Sequence, residues 1–293
     1  MSHTNTTRRR DSDSARARAA ALRTDQARRE RRRRIVVIAS SIVTVLAVVA
    51  VIVVVGTTSK SGSTSSSPST RSPASAALVA AVTGVPGATL DAVGPGTATM
   101  PKAVSDAALT ANGKPLVLYV GAEFCPYCAA SRWALVEALS RFGTFAGLQQ
   151  TASGAKDTYP DTPTFTFHGT TYESGTIALV ARELQNRDGA QLDSISSADA
   201  ALWHRYTGQG AHPFLDIAGK YVEVGKTVDP GLLSGLTAED IAQRLSNPAD
   251  PVAKAIDGQA NVITAAICSA TGNAPAAVCT APGVMAAARA LHG

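Results

Sequence analysis

Two cysteine pairs, Cys125/Cys128 and Cys268/Cys279, are the side chains best suited to chemistry in this sequence, and they sit in different settings. The first pair lies in Cys125-Pro126-Tyr127-Cys128. It follows the apolar run Leu116-Val117-Leu118-Tyr119-Val120 and precedes a segment where Leu135, Leu139 and Phe142 recur at helical spacing. That order predicts a strand buried on both faces, then the dithiol, then a helix that starts at the motif. At the start of a helix, unsatisfied backbone N–H groups and the helix dipole favour negative charge on a sulfur. The thiolate is the attacking species in disulfide exchange. Pro126 suits an early helical position because it has no N–H to leave unpaired. Cys128, three residues on, shares that end of the helix and can resolve a mixed disulfide formed at Cys125. The expected catalytic pair is therefore Cys125 and Cys128.

Two blander uses of a C-x-x-C compete with this. A structural zinc site needs a second close pair of ligands, and the ten residues between Cys268 and Cys279 are the wrong spacing. A disulfide closing so small a ring removes little loop entropy, which makes a purely stabilising role poorly motivated. A soft ion such as copper(I) stays open as a rival ligand, although the chain has no Met-rich or His-rich stretch, and no metal site is expected. A binding module on a redox scaffold is the other alternative, because a fold alone does not define an activity. Glu123, just before the motif, is either a redox-tuning proton acceptor near Cys128 or a carboxylate facing solvent at the strand end. Cys268 and Cys279 lie in Ala-rich helical sequence around a Gly272–Pro275 turn. They are expected to form a structural disulfide, with an electron-relay pair as the alternative.

The elements around the motif follow from punctuation and periodicity. Helical residues Arg132, Glu137 and Arg141 fall on faces other than the apolar one, and Gly143 supplies a stop. Downstream, residues 147–152 predict a strand, and Thr164-Phe165-Thr166-Phe167 with Gly169 and Tyr172 predict a hairpin. A helix is expected over 198–206. Strands at 214–217 and 221–224 flank a turn at Gly219-Lys220, and Thr237 opens a helix that runs to about 247. The first thirty residues of the body, rich in turn formers, predict one or two short strands.

With these residues in place, the chain resembles the thioredoxin superfamily, which includes thioredoxins, glutaredoxins and DsbA-type oxidoreductases. That resemblance implies an α/β thioredoxin-like fold with a middle insertion and a C-terminal helical extension. It also implies a cis-proline that faces the disulfide and opens a hairpin followed by a closing helix. By chain order the substrate-positioning pair is His212-Pro213, with Pro163 as the other proline ahead of an aromatic strand. His212 is either a neighbour tuning the disulfide or an ordinary loop histidine. Residues 78–290 also resemble an uncharacterised anchored family catalogued as domain of unknown function 929. The stretches that carry this are GKPLVLYVGAEFCPYCAASRWALVEALSRFGTF, TYPDTPTFTFHGTTYES and ICSATGNAPAAVC. This second resemblance implies a thioredoxin-like fold but no substrate; the likeness to DsbA-type oxidoreductases implies protein thiol or disulfide clients, no bound cofactor, and a quinone-linked membrane thiol oxidase as the recharging partner. The Pro126-Tyr127 dipeptide is glutaredoxin-like, but no glutathione-binding signature accompanies it.

Charge divides the 293 residues sharply. Residues 1–34 hold twelve arginines against four acidic side chains, whereas residues 78–293 hold thirteen basic against eighteen acidic ones. A body without its own positive balance argues against nucleic-acid binding. Ile35 to Val55 is an uncharged run without Pro or Gly, long enough at ~1.5 Å per residue to cross a bilayer core of about 30 Å. The arginines before it place residues 1–34 in the cytoplasm and the body outside. A cleaved signal peptide is the rival reading, but its apolar core is usually shorter and closely followed by a cleavage site. The expected organisation is a basic cytoplasmic tail (1–34), a transmembrane helix anchored in the lipid bilayer (35–55), a Ser/Thr-rich linker (56–76) and an extracytoplasmic domain (77–293).

Overall fold

The computed structural model describes residues 71–292, so the tail, the apolar run at 35–55 and nearly all of the linker lie outside the described residues. Among the described residues no single helix is long and apolar enough to cross a membrane.

The body opens with β1 (Ser72–Pro73) and two short helices, α1 (Ala76–Thr83) and α2 (Gly87–Val93). Helices thus fill most of the stretch where one or two short strands were expected, and β2 at Lys102–Ala103 is the short strand found within it. Ser75 caps α1 by accepting the Leu78 N–H, and the Gly and Pro residues punctuate helix ends rather than strand turns. Next come β2 (Lys102–Ala103), β3 (Thr110–Ala111) and β4 (Lys114–Gly121), then α3 (Pro126–Ser140). An antiparallel ribbon follows: β5 (Thr144–Ala146), β6 (Gln149–Ala152), β7 (Pro163–Thr166) and β8 (Thr171–Glu173). β5 pairs with β8, and β6 with β7, so the expected hairpin between 164 and 172 is instead a nested double pair. β1 adds to its edge through β6.

β9 (Ala178–Glu183) then lies parallel to β4, from Leu116↔Ala178 to Gly121↔Glu183. After α4 (Ser197–Thr207), β10 (Phe214–Ile217) runs antiparallel along the other edge of β4, and β11 (Tyr221–Val224) pairs with β10. The turn between them centres on Ala218 and Gly219, both with left-handed φ, one residue earlier than expected. A Cβ on Gly219 would meet the Ala107 carbonyl at 2.5 Å, so the sharp turn needs glycine there. A 3₁₀ turn (Pro230–Leu233), α5 (Ala238–Arg244), the long α6 (Pro251–Ala270), the single-turn α7 (Ala276–Cys279) and α8 (Pro282–Leu291) complete the body.

β4 explains the architecture. Val117 and Tyr119 belong to the large core shared with α1, α3, α6 and α8, whereas Leu118 and Val120 pack on the opposite face with Trp203 of α4 and Phe214. Helices thus cover both faces of the central sheet, and a strand buried on both faces must be apolar at every position. The fold is a mixed α/β architecture with its dithiol at the end of the central strand.

Candidate dithiol site

Backbone geometry places the two sulfurs. β4 ends at Gly121, Cys125 becomes the N-cap of α3, and Pro126 takes the first helical position. The Cys128 N–H donates to Cys125 Sγ at 3.2 Å, and the Cys125 thiol points at the His212 carbonyl at 3.8 Å. Both cysteines are free thiols and both are buried, Cys125 at 4% exposure and Cys128 at 0%.

Their acidities diverge. Hydrogen bonding to Cys128 lowers the Cys125 pKa first; burial opposes this, and the Cys128 backbone N–H and the Arg132 charge lower it further. Burial pushes Cys128 well above the ordinary thiol range, and its hydrogen bond with Cys125 adds to the rise. Cys125 is therefore the more acidic of the two thiols.

Near the thiols sits a buried ion pair whose partners are far apart in sequence. Arg132 donates from Nε to Glu183 Oε1 (2.7 Å) and from Nη2 to both Glu183 Oε2 (2.6 Å) and the Ala122 carbonyl (2.7 Å). Neither side chain is exposed. Burial opposes the charge on Arg132, but Glu183 outweighs it and holds the guanidinium protonated. Arg132 and Glu137 are thus core residues, correcting their placement on a polar helix face. The reason is that α3 is enclosed by β-strands on one side and by α1 and α6 on the other.

The segment facing the dithiol is His212-Pro213, joined by a cis peptide bond; the only other cis bond among the described residues precedes Pro275. Burial lowers the His212 pKa, and its ring stands edge-on to Phe124 at 5.4 Å. Pro163 lies elsewhere. It starts β7, and its carbonyl accepts the indole N–H of Trp133. Glu123 is buried, and its carboxylate meets Arg71 at 3.4 Å rather than either sulfur. Cys268 and Cys279 form a disulfide between α6 and α7, remote in sequence from the first pair.

Two buried acids were not legible as site residues. Glu223 on β11 lies behind Pro213, and Asp257 on α6 faces Glu137. Only the alternation of Tyr221-Val222-Glu223-Val224 hints that Glu223 shares a face with Tyr221.

These features define a mixed α/β protein with a dithiol at a helix N-terminus, opposed by a cis-proline. The chain belongs to the family described as Domain of unknown function (DUF929), whose profile matches residues 101–269. That span takes in Cys125, Cys128, Pro213 and most of α6. No curated protein and no solved structure matches the chain.

Proposed function

We propose that this chain is a protein thiol–disulfide oxidoreductase with a thioredoxin-like core, anchored in the cell membrane through residues 35–55 with its body on the outer side. The observation that carries the reading is Cys125 Sγ at the start of α3, bonded to the Cys128 N–H and set apart from Cys128 in acidity. Three features support the thioredoxin-like part: the strand–CxxC–helix order of β4 and α3, the cis-proline facing the thiols, and the β10–β11 hairpin followed by helix.

In the reducing direction the Cys125 thiolate attacks a client disulfide, forms a mixed disulfide and releases one client thiolate. Cys128 then loses its proton and its sulfur attacks Cys125 Sγ. This closes the Cys125–Cys128 disulfide and expels the second client thiolate. The oxidising direction is the reverse, and the pair's reduction potential against its compartment decides which one runs. The His212-Pro213 segment lies where an extended client backbone would be held against Cys125. A quinone-linked membrane thiol oxidase would recharge the pair.

The test is trapping in cells. Cys128→Ser should accumulate mixed disulfides with client proteins, and Cys125→Ser should accumulate none. Equal trapping by the two variants would refute the mechanism. Protease added to intact spheroplasts should remove the body and spare the tail; a mature protein lacking residues 1–55 would refute the anchor.

One observation favours a second reading. Cys125, Cys128 and His212 each offer a donor atom, all within 4.8 Å of one another, as a soft ion such as copper(I) would need. Thiol titration combined with metal analysis of the purified protein separates the two: two free or disulfide-bonded thiols without metal support exchange, and one stoichiometric ion supports the metal reading.

A further inference from the structure

Beside the dithiol lies an open cleft of about 500 Å³, within the range of roughly 300–1,000 Å³ that ligand sites occupy. Its lining comes from three segments: Phe124, residues 154–157 after β6, and residues 185 and 187–189 after β9. Phe124 immediately precedes Cys125, and its ring meets His212 edge-on at 5.4 Å. The cleft therefore adjoins both the thiols and the cis-proline segment. The Phe124 carbonyl accepts the Gly154 N–H at 2.7 Å, and the Glu123 N–H donates to the Gln185 carbonyl at 2.8 Å. Both loops are thereby bonded to the two residues that lead into the motif.

The walls of this cleft are pinned internally. Asn186 Oδ1 accepts the Asp188 and Ala190 N–H groups at 2.9 and 2.8 Å, and Gln185 Nε2 donates to the Gly189 carbonyl at 2.8 Å. In the other loop, Ser153 Oγ donates to the Tyr159 carbonyl at 2.8 Å and accepts the Thr162 N–H at 2.9 Å. An ion pair between Arg187 and Asp161 ties the two loops together. A cleft held in this way takes up an occupant without first having to order its own loops. Among the described residues that line it, Phe124 alone has a large apolar side chain. The rest are glycine, alanine and polar or charged groups, which suit a polypeptide segment better than a lipid tail.

Resting on the exchange reading above, we propose that this cleft is a client subsite, which holds a basic, extended polypeptide segment beside the client's reacting cysteine. Charge sets the preference. Four charged side chains line the cleft; Arg187 is engaged by Asp161, which leaves Lys156 against Asp157 and Asp188. One positive group thus stands with two negative ones, in a body that carries eighteen acidic against thirteen basic residues over 78–293. Lys156 and Asp188 are exposed and Asp157 is half-buried, so a client side chain reaches them from solvent. Charges at such a rim act mainly on the rate of encounter and on the choice of partner. Residues 154–157 belong to the β5–β8 ribbon between α3 and β9, so the subsite is built partly by that insertion.

The experiment takes the reduced full-length protein and follows its exchange with cystine and with peptide disulfides whose cysteine is flanked by lysines or by glutamates. Each peptide rate is divided by the cystine rate of the same variant. Wild type should favour the lysine peptide over the glutamate peptide roughly threefold. Asp157→Lys/Asp188→Lys should reverse that preference. Ala155→Trp, which fills the cleft without changing its charge, should remove most of it. No preference in wild type, or one that persists in both variants, would overturn the subsite. A second measurement needs no exchange: fluorescence anisotropy of the lysine peptide, with serine in place of its cysteine, reads binding directly. Asp157→Lys/Asp188→Lys should weaken that binding roughly threefold, and equal binding would again overturn the subsite. Weakened binding in the variant, from a protein that exchanges no disulfide at all, would keep the subsite and sink the oxidoreductase reading instead.

Discussion

Arg132 and Glu183 join α3 to β9 through two hydrogen bonds, 2.7 and 2.6 Å long, in a region where neither side chain meets solvent. The same guanidinium holds the Ala122 carbonyl, three residues before Cys125. It therefore fixes the loop that carries the first thiol and places a permanent positive charge under both sulfurs.

Breaking that pair should be costly and replacing it should not. Arg132→Met alone leaves Glu183 buried without its partner, and we expect a loss of about 3–5 kcal/mol. The double variant Arg132→Met/Glu183→Leu should lose clearly less. Urea unfolding of both reads the difference; equal losses would mean that packing, not charge, dominates the site.

Alkylation should distinguish the thiols in order. With the Cys125 pKa lowered and the Cys128 pKa raised, iodoacetamide at neutral pH should modify Cys125 first, and Arg132→Met should slow that reaction. Peptide mapping by mass spectrometry identifies the modified residue. Faster labelling of Cys128 would contradict the assignment of attacker and resolver.

Glu223 gives a signed dependence of stability on pH. Its folded value, about 8, is above the ordinary 4.5, so the folded protein binds a proton that the unfolded chain has already released. The contribution is fully present below about 4.5 and is lost as pH rises through about 8. Glu223→Gln should flatten the unfolding free energy across this window. The raised carboxyl of Asp257, pushed up to about 10, leaves a residual slope in the same direction. A curve equally steep in the variant would show that Glu223 ionises normally in the fold.

The Cys268–Cys279 disulfide should act on stability. Both sulfurs are buried, and closing a loop of about twelve residues contributes roughly 3 kcal/mol in the chain-entropy model. Cys268→Ala/Cys279→Ala should lower the melting temperature while exchange at Cys125 persists. Normal melting with lost turnover would assign the pair to electron relay.

The sequence made the dithiol legible because its signals are local. A continuous apolar strand, a proline at the first helical position and a three-residue spacing are all read within about fifteen residues, and β4, α3, α4, β10 and β11 fall where they are expected. The misses were non-local. β9, with Ala178, Ala181, Arg182 and Glu183, has neither strict alternation nor β-branched enrichment; its strand state comes from pairing with β4. Arg132 reads as a solvent residue because of its charge, although the i, i+3 and i+7 spacing puts it on the same face as Leu135 and Leu139, and nothing nearby in sequence announces that Glu183 will meet it. Glu223 escaped for the same reason, since its burial depends on α6 and Gln259.

The route by which the chain enters the body has a mechanical consequence. β1 is held to β6 at Ser72 and Pro73, the Ala74 N–H bonds the Leu148 carbonyl, and Arg71 reaches Glu123, two residues from Cys125. Tension applied at residue 71 would load these few bonds before it reached the core. Part of that load would pass through Arg71 to the loop bearing the first thiol. Stretching the chain from its N-terminal side would therefore strain the neighbourhood of Cys125 well before the body unfolds.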